Sequence, residues 1–144
     1  MRKTLLFVAF SSAAVLTLIL AGCSKKSDTP ALTMKNVAGT YKTTALTGAV
    51  GGFTINLYDS LDACRKDDNY KFNADSTYQY IDAGTQCSPP ANSEGTWVIS
   101  GNYIILDGND TATVKSFNGS QLVVNYTDNS MGITFIATQT FTKL

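Results

Sequence analysis

The stretch Thr111-Ala112-Thr113-Val114-Lys115-Ser116-Phe117, then Asn118-Gly119-Ser120, then Gln121-Leu122-Val123-Val124-Asn125-Tyr126, decides the fold class. Thr, Val, Phe and Tyr suit a pleated, half-buried surface, and Asn-Gly between two such runs offers residues that tolerate positive φ, as a tight hairpin needs. The stretch reads as two antiparallel strands. Working outward, similar runs recur at 39–46, 69–72, 77–81, 95–100, 103–106 and 133–142. Between them lie the turn clusters Asn73-Ala74-Asp75-Ser76, Gly101-Asn102, Asp107-Gly108-Asn109-Asp110 and Asp128-Asn129-Ser130-Met131-Gly132, rich in residues that hydrogen-bond their own backbone. No amphipathic helical period of useful length competes. Together with 111–117 and 121–126 these make eight strands, mostly joined by hairpins. An open meander would leave two exposed edges, so the expected architecture is all-β: an eight-stranded antiparallel up-and-down barrel.

Strand alternation then sorts the side chains. Ile133, Phe135, Ala137, Gln139 and Phe141 share one face of the last strand, Leu122, Val124 and Tyr126 one face of its neighbour, and Tyr78 and Tyr80 one face of the third. Thr134, Thr138, Thr140 and Asn125 take the opposite, solvent face. An eight-stranded interior is either just filled by side chains or holds one small ligand. In the second case Tyr78, Tyr80, Leu122, Val124, Phe135 and Phe141 are the expected ligand-binding residues. The segment 47–68 breaks the meander. Gly48, Gly51 and Gly52 make a flexible entry, and Leu57, Tyr58, Leu61 and Cys64 fall at helical spacing, so 59–64 is expected to form one or two helical turns across a barrel mouth. Such a segment is either a lid or an inert plug.

Ahead of the strands, Met1-Arg2-Lys3-Thr4 is a short basic segment, and 5–20 is apolar except for Ser11, Ser12 and Thr17. This pattern fits a secretory signal peptide over residues 1–22 and falls short of the ~20 apolar residues that span a bilayer. It ends in Leu20-Ala21-Gly22-Cys23, which resembles the bacterial lipobox: small residues fit a peptidase and the thiol is the nucleophile toward a lipid. Cys23 is the expected lipidation site, its palmitate-type chains contributing ~0.8 kcal/mol per buried CH₂ to membrane attachment. Residues 23–36 read as lipidated Cys and flexible tether, and 37–144 as the barrel domain. Some exported lipoproteins carry an acidic run directly after the Cys. Here Lys25-Lys26 stands instead, with Asp28 alone, which favours the periplasmic face of the outer membrane over the cell surface.

Composition excludes much chemistry. The 144 residues hold 11 Lys plus Arg against 11 Asp plus Glu, and no His. Loss of Arg2 and Lys3 with the signal leaves the mature chain slightly acidic, which gives no case for nucleic acid. Without His, Ser-His and Cys-His catalysis, His-ligated zinc and the usual neutral-pH general base are all absent. Asp59, Asp62, Asp67 and Asp68 have the right atoms for a hard cation but not the spacing of a Ca²⁺ loop, and Arg65 and Lys66 lie among them. They read as solvated turn acids and local ion pairs. Paired-carboxylate glycoside hydrolysis needs no His, yet Glu94 is the only Glu and nothing places two acids on adjacent inward positions. No catalytic residue, metal or cofactor is expected.

Gly39-Thr40-Tyr41-Lys42, Cys64-Arg65-Lys66-Asp67-Asp68 before Asn69-Tyr70-Lys71-Phe72, Cys87, and Gly95-Thr96-Trp97 together resemble the bacterial lipocalin-like domain lipoproteins, over about 34–144. The resemblance implies a small antiparallel barrel whose Gly-x-aromatic strand openings pack at the closed end. It also implies a Cys64–Cys87 bridge. The cysteine count agrees, because lipidation of Cys23 leaves one pair in an oxidising compartment. Tyr41 departs from the family's commoner Trp. The expected activity is binding of a small apolar or amphipathic molecule. The alternative is a filled barrel that acts through protein contact, as an envelope assembly component or inhibitor. Replacing Cys23 with Ser should release the domain from membranes in soluble form; retention in the membrane fraction after a high-salt wash would place the anchor elsewhere.

Overall fold

The computed structural model describes residues 29–129 and 132–144. The expected signal peptide at 1–22, the expected lipidation site Cys23, the expected tether up to Asp28, and Ser130 and Met131 lie outside the described residues. Among those described, two one-turn helices, α1 (Met34–Val37) and α2 (Ala63–Lys66), accompany the strands β1 (Gly39–Val50), β2 (Phe53–Asn56), β3 (Asn69–Phe72), β4 (Thr77–Ile81), β5 (Ser93–Ser100), β6 (Tyr103–Leu106), β7 (Asp110–Phe117), β8 (Gln121–Asp128) and β9 (Phe135–Lys143). The order along the sheet is β2-β1-β3-β4-β5-β6-β7-β8-β9, and β9 returns to pair with β1. Eight strands thus close into an antiparallel up-and-down barrel. One edge of β1 takes β9. On its other edge residues 39–42 take β3 and residues 47–50 take β2, so β2 is an appended strand outside the closed ring.

Three local expectations change. The first strand runs past residue 46 to Val50 because Gly51 and Gly52, at φ 55° and 86°, form a two-residue turn into β2. The glycine-rich entry is a hairpin, not slack chain. The expected helical turns over 59–64 fall instead at Ala63–Lys66. The Asn56 side-chain oxygen accepts the N–H groups of Tyr58 and Asp59 at 2.9 and 3.3 Å, and this local turn competes with a helix starting there. Finally, Ile133 lies before β9, 58% exposed, rather than on its inward face. Among the described residues the β8–β9 ladder starts with Phe135 opposite Asp128, the last residue of β8. Elsewhere a bulge between Val114 and Ser116 resets the alternation, which is why Val114 and Phe117 both point into the core although three residues apart.

The up-and-down order places the turns after β1, β4, β6 and β8 at one end, and α1 with the turns after β3, β5 and β7 at the other. The α1 end is plugged. Val37 is fully buried there, and its carbonyl accepts the Tyr41 hydroxyl at 2.6 Å. Lys143 lies across the Tyr41 ring, its ammonium 5.6 Å from the centroid, in the space a side chain at Gly39 would need. Trp97 is buried with its indole N–H donated to the Asn73 carbonyl at 2.8 Å, and its ring packs on Phe72 at 4.9 Å. The Gly-x-aromatic openings therefore anchor this end, each large side chain contributing roughly 1.5–3 kcal/mol by burial. Gly95 admits no Cβ: one would meet the Asp107 carboxylate at 2.2 Å and the Tyr78 ring at 2.7 Å.

Cys64 and Cys87 are bridged, with a Cα–Cα distance of 5.2 Å and a sequence separation of 23. The bond ties α2 to the loop after β4, at the unplugged end. In the chain-entropy model a loop of that length implies about 3 kcal/mol of stabilisation. Urea unfolding of Cys64→Ala/Cys87→Ala against the oxidised parent should show a loss near that figure, with the far-ultraviolet strand signal retained.

Candidate functional site

The unplugged end gathers the polar and the half-buried aromatic side chains. Of the six expected ligand-binding residues, Leu122, Val124 and Phe141 are buried deep in the barrel, where with Tyr70, Ile104 and Tyr126 they surround an apolar void of about 20 Å³. That is room for a single water molecule, whose own requirement is ~10–15 Å³. Tyr78 and Tyr80 face inward beside this core without lining the void; their hydroxyls are donated to Asp107, at 2.9 Å, and to Asp68. Phe135 sits at the rim. Its ring covers Gly48, where an added Cβ would stand 2.7 Å from the ring and 3.0 Å from Leu57. The six thus divide into three around the void, two in a polar belt and one at the lip.

The belt contains residues that sequence reading did not single out as ligands. Asp68 is buried and accepts both the Tyr80 hydroxyl and the Ala83 N–H, the latter at 3.2 Å. The Tyr70 and Tyr80 rings meet at 5.0 Å, and Gln139 donates to the Thr43 hydroxyl at 2.8 Å. Gln139 was legible from alternation as inward, but Asp68 precedes its strand and carries no local signal. Burial, then the Asp68 hydrogen bond and charge, push the Tyr80 phenol well above its ordinary range. Burial raises Tyr126 strongly too, with smaller contributions from Tyr70 and Asp110.

The other acids hold backbone. Asp82, buried, accepts the N–H groups of Cys87 and Ala91, each at 3.1 Å, and so folds the loop after β4. Asp67 accepts from Thr85 N–H at 2.9 Å, Asp62 meets Arg65 at 3.9 Å, and Asp59 takes the Asn56 amide. The acids of 59–68 therefore serve separate partners, and no metal-holding group of His, Cys, Asp or Glu occurs among the described residues. Nor is any described helix long and apolar enough to cross a membrane.

Above the void a cleft of about 500 Å³ opens at the rim, lined by Leu106, Asn109, Asp110, Thr111, Tyr126 and Thr127. Leu106 and Tyr126 line both spaces. Two further grooves, of about 550 and 470 Å³, share Gln79 and Glu94 and run along the β4–β5 pair. Gln79 and Glu94 are register partners, and alternation sets them opposite the inward Tyr78 and Tyr80, on the outer face.

A family model described as a lipocalin-like domain matches residues 37–124, from the end of α1 through the first half of β8. No curated protein and no solved structure matches the chain significantly.

The raised phenols make stability fall in alkali. Burial pushes Tyr41 up to about 12 from 10.0. A group whose folded pKa lies above its unfolded value holds its proton more tightly when folded, so its stabilisation is complete below the unfolded pKa and is lost as pH rises through the folded one. The urea midpoint should therefore be flat below pH ~10 and decline between ~10 and ~12, with the buried share of the phenolate absorbance appearing only as the chain unfolds. Complete tyrosine ionisation with the fold intact would contradict this.

Proposed function

The chain belongs to the lipocalin-like domain family, and from that premise we propose that it is a lipid-anchored barrel of the bacterial envelope, on the outer membrane facing the periplasm, whose open end binds a small apolar or amphipathic molecule. Lipocalin-like domains are typically non-catalytic binding proteins. A fold alone names no ligand, so the argument rests on the site. The observation that supports it is a rim cleft of about 500 Å³ that shares Leu106 and Tyr126 with the apolar void inside the barrel. The cleft lies within the ~300–1,000 Å³ range of small-molecule sites. The void as it stands admits no more than water, so the ligand sits in the cleft and its apolar end reaches inward by displacing the Tyr126 ring. Each Å² of apolar surface so buried contributes about 25 cal/mol. The lipobox Leu20-Ala21-Gly22-Cys23 supports the anchor.

One observation favours protein contact instead. Val50, Phe53 and Ile55 share a face of the β1–β2 hairpin and are 37%, 78% and 55% exposed, and the outer edge of β2 pairs with no strand among the described residues. An unpaired apolar edge is a template for a partner's strand.

Thermal unfolding of the full chain carrying Cys23→Ser, with decan-1-ol and a panel of sterol-like and isoprenoid compounds, separates the two. Ligand at about 100 times its Kd stabilises by ~2.7 kcal/mol, a rise in Tm of roughly 12 °C for a domain of this size. No rise with any compound would leave protein contact as the better account.

A further inference from the structure

We propose that the molecule taken by the rim cleft carries a cationic head on an apolar body, with Asp110 as its counter-charge. The proposal rests on the ligand-binding reading above and adds the chemical class. Asp110 opens β7 opposite Leu106 and two residues before the buried Ala112, so all three share the inward face and the carboxylate stands at the lip of an apolar wall. It is exposed, and among the described residues it accepts no hydrogen bond and meets no cation.

The surroundings leave that charge uncompensated. No Lys or Arg lines the cleft or the void beneath it. Lys143 is at the plugged end over Tyr41, and Arg65 faces the Tyr70–Tyr80 side and the Asp62 carboxylate. Asp107, in the same turn as Asp110, is occupied by the Tyr78 hydroxyl and the Thr96 N–H, at 2.9 and 2.8 Å. The charge of Asp110 reaches the phenols of both Tyr126 and Tyr78, the inward side chains of two different walls. A carboxylate or phosphate head would meet this field unscreened by any basic group. A cation gains an ion pair with the exposed Asp110 carboxylate, and the half-buried Tyr126 ring offers it a π face.

The test uses one tail and three heads: decyltrimethylammonium, decan-1-ol and decanoate, titrated below their micelle concentrations into the full Cys23→Ser chain by calorimetry at low salt. The expected order is cation, alcohol, anion, with the cation on the order of tenfold tighter than the anion. Asp110→Asn should bring that ratio toward one, and in the unmodified site so should added salt, which screens an exposed charge. Equal binding of the three heads, a preference for decanoate, or a ratio indifferent to Asp110→Asn and to salt would overturn the cationic-head assignment and leave ligand binding standing. Binding of none of the three would remove both.

Discussion

The backbone ladder between β1 and β9, from Tyr41 opposite Lys143 to Val50 opposite Phe135, joins the first and last strands and is the constraint on which the other features depend. With it in place the ring has no free edge, and the alternation of every strand acquires an inside. Tyr41, Phe72, Trp97, Leu122, Val124 and Phe141 converge only because the sheet curves back on itself. The ladder also carries the cost of the topology. Its partners lie about a hundred residues apart in the chain, and such pairings must wait for the hairpins between them, which makes slow folding the expectation for barrels of this kind. The polar belt is part of the same closure, since Gln139 of β9 reaches Thr43 of β1 across the seam.

What could be read from the sequence was what local chemistry specifies. Turns such as Asn118-Gly119 and Gly101-Asn102 declare themselves within four residues, and the strands they join were located to within a few positions. β2 escaped because its four residues, Phe53-Thr54-Ile55-Asn56, make a period too short to stand out, and its Gly51-Gly52 turn reads equally well as slack. The misplaced helical turn failed for a related reason: apolar spacing at Leu57, Tyr58, Leu61 and Cys64 is blind to the Asn56 side chain that takes over the backbone there. Inward faces followed from alternation, but depth did not. Whether Leu122 and Tyr78 bound one cavity or two layers depends on how far around the ring each strand is staggered, a quantity no single strand contains. Asp68 and Asp110 acquired their roles only from the elements that the closed sheet brings to them.

The interior is organised by level rather than by strand. Toward α1 the aromatic side chains interlock, with Phe72 against Tyr41 and Trp97. In the middle a wall of aliphatic and aromatic side chains leaves a void of about 20 Å³. Toward the rim, phenols and carboxylates take over, and the disulfide with Asp82 holds the loop after β4 in place beside them. Interlocked packing and buried hydrogen bonds are thus concentrated away from the rim cleft. Tyr126, half-buried and common to the cleft and the void, stands where that packing ends.

Pro30 lies against Gly119, in the turn after β7, so the chain enters the barrel at its plugged pole. β1 spans 12 residues, and at ~3.3 Å per residue with a strand tilt near 40° it sets the mouth about 30 Å from that pole. Were the chain anchored through the residues before Thr29, as proposed, the attachment and the mouth would lie at opposite poles of the barrel. A ligand taken at that mouth would then be exchanged with the aqueous compartment, and the length of the tether would set how far from the anchoring surface that exchange takes place.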